Sequence, residues 1–373
     1  MPASAAGYYV TWSKNTTFVV REVNIVVSSS PRARISGYNI MRQETIKTSS
    51  PMSKNYLISV VAPIYGVENY IEKFARSVLS QDCADVQYVF VDDGSKDRSV
   101  ELLNAVIDNE FPHLKEDIVL VRKPNGGLPL ARKTGMEHAC GEYILHADSD
   151  DWLAAGALRK IADKIRETGA DIVYFDFVKE YAHRVSYKRE RDYDVSTKDD
   201  YIINIFNYKS HGYAWSKCFR RSLWTENVIY TPICAMHEDI YLMSQIIFHA
   251  RSFAHIKEPL YHYRKDNASS ICSQNKVKLH IQSDRNMFDL YEHFKDNLKD
   301  SPIEHVWGGM LMRAGMHALV YRQEFFTEYP YLADDIFKAP LSFRYRLNMP
   351  GQIYLKLYTG LRLLCRRGRA PKE

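Results

Sequence analysis

From Tyr56 onward, apolar and polar positions switch between two periods. Leu57-Ile58-Ser59-Val60-Val61-Ala62-Pro63 is a continuous apolar run of strand length. Residues 69–80 then carry Ile71, Phe74, Ala75, Val78 and Leu79 at helical spacing. Residues 86–91 read as a second strand, ending in Asp92-Asp93-Gly94-Ser95. Ser95 or Asp97 is placed to cap a helix carrying Val100, Leu103 and Ile107. Residues 118–121 are a third strand, and Asn125-Gly126-Gly127 is a turn into a helix from about 129 to 140. Tyr143-Ile144-Leu145 is a fourth strand, 158–165 a helix and 172–175 a fifth strand. Repeated strand–helix units predict an α/β fold with a mostly parallel sheet covered by helices on both faces.

The rhythm breaks after Tyr181. The charged stretch 184–194 predicts a solvated loop or an edge hairpin, and 197–206 a helix. Trp215-Ser216-Lys217-Cys218-Phe219 is a short extended segment, and Met236-His237-Glu238-Asp239 opens a helix reaching about 249. Residues 254–263 read as a strand. The pattern is helical over 276–298 and 303–325, which puts a domain boundary near 273 and a helical region at 274–373. Residues 1–51 differ from the rest, with Ser/Thr-rich patches and one strand-like run at 18–27 that has no obvious partner. Met52 reads as a natural start, with 1–51 a disordered arm or an upstream extension from a misplaced start codon.

Charge placement matters more than the formal net charge of +5. Residues 1–51 carry six Lys/Arg against two Asp/Glu, and 341–373 carry eight against one. The body between them therefore holds 36 basic and 42 acidic residues. An acidic body with a basic tail argues against a nucleic-acid partner, which needs a basic face on the folded domain. The six cysteines are scattered without a Cys-x-x-Cys pair, which suggests reduced thiols, neither a zinc cluster nor a disulfide framework. No apolar run approaches a membrane span, and the N-terminus lacks a signal-peptide core, so the expected place is the cytoplasm. Residues 350–369 form a basic amphipathic tail. Ile353, Leu357, Leu361 and Leu364 share one helical face, with Lys356, Arg362, Arg366 and Arg367 mostly on the other. That pattern suits a helix lying on the inner face of an anionic membrane, or one packed on the body with a solvated basic end.

The chemistry is concentrated in His146-Ala147-Asp148-Ser149-Asp150-Asp151-Trp152. Three carboxylates follow a buried strand, where ligands bind in open α/β sheets. Clustered oxygens suit Mg²⁺ or Mn²⁺ held with substrate phosphates. The plainer reading is that Asp150 or Asp151 caps a helix starting near Trp152. Asp92-Asp93 ends a neighbouring parallel strand, so both acidic ends can face one ligand. Glycine-rich dinucleotide and P-loop fingerprints are absent.

In this setting residues 57–270 resemble the family-2 glycosyltransferases, bacterial inverting enzymes of the GT-A fold (a Rossmann-like sheet flanked by helices). The resemblance rests on Val60-Val61-Ala62-Pro63-Ile64-Tyr65, Val91-Asp92-Asp93-Gly94-Ser95, and Asn125-Gly126-Gly127-Leu128 with Ala131-Arg132. It continues in Asp148-Ser149-Asp150-Asp151-Trp152-Leu153, Trp215-Ser216-Lys217, Glu238-Asp239 and Tyr261-His262-Tyr263-Arg264. Gly66 and Lys133-Thr134 depart from it, and neither removes a carboxylate. The resemblance implies a nucleotide-diphosphate sugar donor, most often a UDP-sugar, and a glycan or lipid-linked oligosaccharide acceptor in surface polysaccharide synthesis. Pro63, Tyr65 and Glu68 would line the nucleotide pocket, and Asp93 would bind the base. Arg132, Asp148 and Ser149 would serve the donor, with Asp150 the direct metal ligand beside Asp148. Asp239 would be the general base.

Each of these roles has a plainer counterpart. Asp239 can favour the positive end of its helix, and Glu238 can orient the loop beside it. His237 touches the diphosphate or is an ordinary polar histidine. Trp215 stacks on the acceptor or packs in the core. Arg264 approaches the leaving phosphates or forms a structural ion pair. The rival functions are a nucleotidyltransferase, for which Pro63-Ile64-Tyr65-Gly66 is a poor triphosphate loop, and a non-catalytic sugar-nucleotide-binding protein.

Overall fold

The computed structural model describes residues 5–10, 20–25, 44–45, 54–193, 198–207, 209–267, 276–298, 332–338, 341 and 349–367, with single positions between 303 and 326. The chain divides into two compact units, 1–42 and 43–373. In the first, strand β1 (Ala5–Val10) pairs antiparallel with β2 (Val20–Ile25), which gives the strand-like run at 18–27 its partner. Met52, the boundary expected near 273 and most of 303–325 lie outside the described residues.

Among the described residues, the second unit is built on a ten-stranded sheet. Strand β4 (Ile58–Ile64) serves two cores through its period of two: Ile58, Val60, Ala62 and Ile64 face one side, Val61 the other. Strands β5 (Val86–Asp92) and β7 (Tyr143–His146) flank it in parallel, and β6 (Ile118–Arg122) continues the parallel run beyond β5. A two-residue strand β3 (Glu44–Thr45) closes that edge. The expected parallel order holds through these strands. Past β7 the sheet is mixed. Strand β11 (Lys217–Arg220) lies antiparallel between β7 and β9 (Ile172–Tyr181). Strand β10 (Arg184–Lys188) folds back on β9 as the edge hairpin, and β12 (Phe253–Arg264) pairs parallel with β9. Strand β8 (Trp152–Leu153) pairs with β12 at the outer edge. Strand β11 is entered through the short turn Ala214–Ser216.

Helices α1 (Ile71–Leu79), α2 (Ser99–Glu110) and α4 (Ala157–Thr168) cover one face with Phe74, Leu103 and Ile161. Helices α3 (Leu128–His138), α5 (Lys198–Phe206) and α7 (Glu238–His249), with the single turn α6 (Ser222–Thr225), cover the other. Gly135 lets α3 press close to the sheet, since a Cβ there would stand 2.3 Å from Val61 Cγ1. Helix α8 (Lys276–Leu298) adds Leu290 and Phe294 to this second core. A third cluster joins Phe288 to Ile336 of α9 (Leu332–Lys338) and Leu355 of α10 (Met349–Arg367).

Helix α10 is the expected amphipathic tail, and it buries the less apolar of its faces. Gln352, Leu355 and Thr359 are fully buried, while Ile353, Leu357 and Leu361 are 45–64% exposed. Lys356 reaches back to the Phe337 carbonyl, and the Arg362 guanidinium lies 5.2 Å from the Phe326 ring centre. The Leu364 side chain lies outside the described residues. Among the described residues no helix is long and apolar enough to cross a membrane.

Candidate active site

Parallel pairing brings the carboxyl ends of β4, β5 and β7 to one edge, where they open into a cleft of about 600 Å³. Pro63 and Tyr65 line it past β4, Asp93 past β5, and Asp148, Ser149 and Asp150 past β7. Arg132 enters from α3, Trp215 from the turn before β11, and His237, Glu238 and Asp239 from the start of α7. Of the residues singled out in the sequence, Glu68 and Arg264 stay out of the lining.

No helix starts at Trp152. That residue belongs to β8, and α4 begins only at Ala157, behind Gly156 in the left-handed region (φ +72°). Neither Asp150 nor Asp151 is therefore a helix cap. Asp151 is buried and accepts from the Tyr261 hydroxyl (3.0 Å) and the Arg264 backbone N–H (2.7 Å). Ser149 donates its hydroxyl to the Pro63 carbonyl (2.7 Å), tying the end of β7 to that of β4. Arg264 donates to the Asp150 carbonyl (3.0 Å), and its guanidinium lies between Tyr70 and Trp152, with ring centres at 4.8 and 5.1 Å. Arg264 is thus a clasp for the acidic loop. The loop is held so that Asp148 and Asp150 face the cleft.

Asp150 accepts the Asn267 amide (2.8 Å) through Oδ2, and Asp148 accepts Arg132 Nη2 (2.8 Å) through Oδ1, leaving the other oxygen of each. Burial, then the neighbouring Asp148, raises the Asp150 pKa, so a cation between them would relieve their repulsion. Among the described residues no three His, Cys, Asp or Glu side chains converge to cage an ion. Two hard oxygen ligands fit Mg²⁺ or Mn²⁺ only if phosphate and water complete the shell, which is the usual arrangement for Mg²⁺.

Arg132 is 2% exposed and joins two parts of the site. Its Nη2 holds Asp148, and its Nε donates to Glu238 Oε1 (2.9 Å). Arg132 Nη1 and Glu238 Oε2 are buried with no partner among the described residues. Asp239 follows Glu238 in the first turn of α7. Before it, His237 takes a left-handed backbone (φ +60°), a conformation uncommon outside glycine, which turns the acidic pair toward the cleft. No side chain caps this helix. One guanidinium therefore faces three carboxylates. Burial pushes Asp239 up to about 6, with Arg132 opposing and Asp148 adding to the rise. Burial also raises Glu238, against the pull of Arg132. His237 is held down to about 4 by burial, and its Nδ1 shares a hydrogen bond with the Ser283 hydroxyl (2.6 Å).

A sequence model described as Glycosyl transferase family 2 matches residues 59–235, which carry the β4, β5 and β7 ends. The matched segment is a family-2 glycosyltransferase domain. EpsH of Bacillus subtilis is 29% identical over 232 residues, covering 60% of this chain and 64% of EpsH. The glycosyltransferase GlyA of Streptococcus pneumoniae is 30% identical over 218 residues, covering 56% of this chain and 30% of GlyA. The chain thus spans less than two thirds of either relative. Among solved structures, S. aureus TarS 1–349 in complex with UDP superposes with a TM-score of 0.55 at 18% identity, covering 84% of this chain and 93% of that one. The shared architecture is the GT-A fold.

Within this family-2 domain several side chains sit differently from their expected roles. Both Asp93 oxygens accept backbone N–H groups, from Gly126 (2.9 Å) and Gly127 (2.8 Å), and Asp93 also pairs with Lys123. It shapes the 125–127 turn and keeps only its spare lone pairs for a ligand. Tyr65 is 53% exposed at the rim, while Glu68 accepts the Arg98 backbone N–H (3.1 Å). Trp215 is 2% exposed, stacked between Tyr213 (4.6 Å) and Tyr261 (4.4 Å), so it is a core ring with only an edge in the cleft. Tyr213, Tyr263 and Asn267 also line the cleft and were not singled out. The sequence signal available for Asn267 is its position three residues after Arg264.

Proposed function

We propose that this chain is a metal-dependent inverting glycosyltransferase. It moves one sugar from a nucleotide-diphosphate sugar, a UDP-sugar in the first instance, to a hydroxyl of a glycan or lipid-linked oligosaccharide. The observation that carries this reading is that Asp239 and the Asp148–Asp150 loop line one cleft, with Arg132 hydrogen-bonded between their two halves. The chain's residues divide the work. Asp148 and Asp150 would hold Mg²⁺ or Mn²⁺, which neutralises the leaving diphosphate when bound. Asp239 takes the acceptor hydroxyl proton as that oxygen attacks the anomeric carbon. The bond from that carbon to the diphosphate oxygen breaks, and the nucleoside diphosphate carries away the electron pair. One base and one in-line displacement invert the anomeric centre, whereas a retaining glycosidase needs a second carboxylate as nucleophile. The expected place of work is the cytoplasmic membrane's inner face, reached through the exposed Ile353, Leu357 and Leu361 of α10.

The test is a pair of variants. Asp150→Ala should abolish Mn²⁺-dependent UDP binding. Asp239→Asn should bind UDP like the parent and release no sugar from a panel of nucleotide sugars that the parent turns over. Equal loss of UDP binding in both variants refutes this division of labour.

A further inference from the structure

Three lysines gather on one face of the sheet, close to the cleft, because of strand register. Strand β12 sets Tyr261 opposite Phe177 and Tyr263 opposite Lys179 of β9. Strand β10 sets Lys188 opposite Phe177 on the other side. Residues two apart share a face, so Lys179, Lys188 and Lys265 point the same way as Phe177, Tyr261 and Tyr263. The Lys265 backbone N–H continues the ladder to the Glu180 carbonyl (2.7 Å). Lys265 Nζ lies 4.6 Å from the Tyr263 ring centre, and Lys179 Nζ lies 5.9 Å from that of Tyr213. The Tyr213 and Tyr263 rings are 5.6 Å apart, and both line the cleft together with Lys265.

The acids of this edge serve the opposite face. Glu180 is out of phase by one residue and accepts from His262 Nδ1 (2.8 Å). Among the described residues, none of the three lysines has a carboxylate within salt-bridge distance. Gathering two half-buried ammonium groups, Lys179 and Lys188, beside the exposed Lys265 without a counter-charge is unfavourable in the free protein. Burial, then Lys265 and Lys188, holds Lys179 below its ordinary range. A bound anion removes that cost. Lys179 lies beside Tyr213, at one end of the Tyr213–Trp215–Tyr261 stack, and the Tyr261 hydroxyl touches the Asp148 loop at the other. The donor diphosphate belongs at that loop, so Lys179 faces a different anion, with Lys265 beside it in the cleft lining.

We propose that Lys179, Lys188 and Lys265 form a subsite for a phosphate carried by the acceptor, with the adjoining sugar ring against Tyr213 and Tyr263. The proposal rests on the transferase reading and specifies its acceptor as a phosphate-bearing glycan. Aromatic faces hold sugars through their C–H surfaces, and ammonium groups hold phosphate as point charges.

The test uses the full chain saturated with UDP and Mg²⁺, titrated by calorimetry with N-acetylglucosamine 1-phosphate and with methyl N-acetylglucosaminide. The parent should bind the sugar phosphate more tightly than the neutral glycoside, and less tightly as salt is raised. The Lys179→Ala/Lys265→Ala variant should lose roughly tenfold in sugar-phosphate affinity, with UDP affinity and neutral-glycoside binding unchanged. Lys265→Glu, at an exposed position, should show the same loss if the double variant is poorly folded. A parallel fall in UDP affinity would assign the lysines to the donor and overturn the proposal. So would equal binding of both probes by the parent, or unchanged sugar-phosphate affinity in the variants. Failure of the parent to bind UDP with Mg²⁺ would instead overturn the transferase reading, and the subsite with it.

Discussion

Replacing Asp239 by Asn should make the protein more stable at high pH while stopping catalysis. Burial among carboxylates pushes the Asp239 pKa from 3.8 up to about 6. The sign follows from linkage. An acid whose folded pKa is raised binds more protons folded than unfolded, so stability falls as pH climbs from about 4 to about 6 and is level above. Each pKa unit corresponds to about 1.4 kcal/mol, so the ionised Asp239 costs the folded state on the order of 3 kcal/mol at pH 8. At pH 4.5 roughly 1 kcal/mol of that has already been lost, because unfolded Asp239 is mostly ionised there. Asn carries no charge, so its advantage over Asp should be about 2 kcal/mol larger at pH 8 than at pH 4.5. For a folded unit of this size that is about 3 °C in Tm. Calorimetric melting of both proteins in EDTA at the two pH values measures it. An equal difference at both pH values, or a variant less stable at pH 8, would refute the claim that Asp239 is a strained, ionisable base. The same pKa predicts that kcat/KM of the parent falls as pH drops through about 6, because the protonated base cannot accept a proton.

Arg132→Met should destabilise the fold by about 3–5 kcal/mol, because Glu238 and Asp148 are left without their cation. The loss, read by urea denaturation, should be largest at high pH and shrink as pH falls and the buried Glu238, whose pKa burial raises, takes up a proton. Gly135→Ala should cost about 1–3 kcal/mol, since the new methyl meets Val61 Cγ1 at 2.3 Å and α3 must move; unchanged thermal melting would show that the helix shifts freely. Leu357→Glu/Leu361→Glu should remove binding to anionic vesicles while leaving Tm within about 1 °C of the parent, because both side chains are exposed. Vesicle co-sedimentation equal to the parent would mean that α10 does not dock on lipid.

Much of this site was legible because it is local. The end of each parallel strand carries its own acids, so Asp93 and Asp148-Ser149-Asp150 could be placed on one edge from the strand pattern alone. What depended on distant partners was not legible. Trp152 sits in a strand, not at a helix start, because β12 supplies its partner from more than a hundred residues away. The segment 217–220 becomes a central strand because β7 and β9 leave a gap that a short antiparallel run fills. Nothing in its five-residue extended pattern indicates a position between two other strands. The mixed half of the sheet was hidden for the same reason.

Arg132 shows the physical limit most clearly. In the sequence it is a helix residue followed by Lys133, and its neighbourhood departs from the family pattern it otherwise resembles. Only the close approach of α3 to β4 at Gly135 carries its guanidinium between Asp148 and Glu238. That placement changes what the acidic loop and the base can be. They are not two sites that share a cleft, since a charge change at Asp148 alters how strongly Arg132 opposes proton uptake by Glu238 and Asp239. Neutralising Asp148, whether by substitution or by a bound cation, frees more of the guanidinium's field for the other two carboxylates and lowers their proton affinity. On the proposed division of labour, occupation of the Asp148–Asp150 half would therefore prepare Asp239 to accept a proton at neutral pH, and substitutions in the two halves should not be additive.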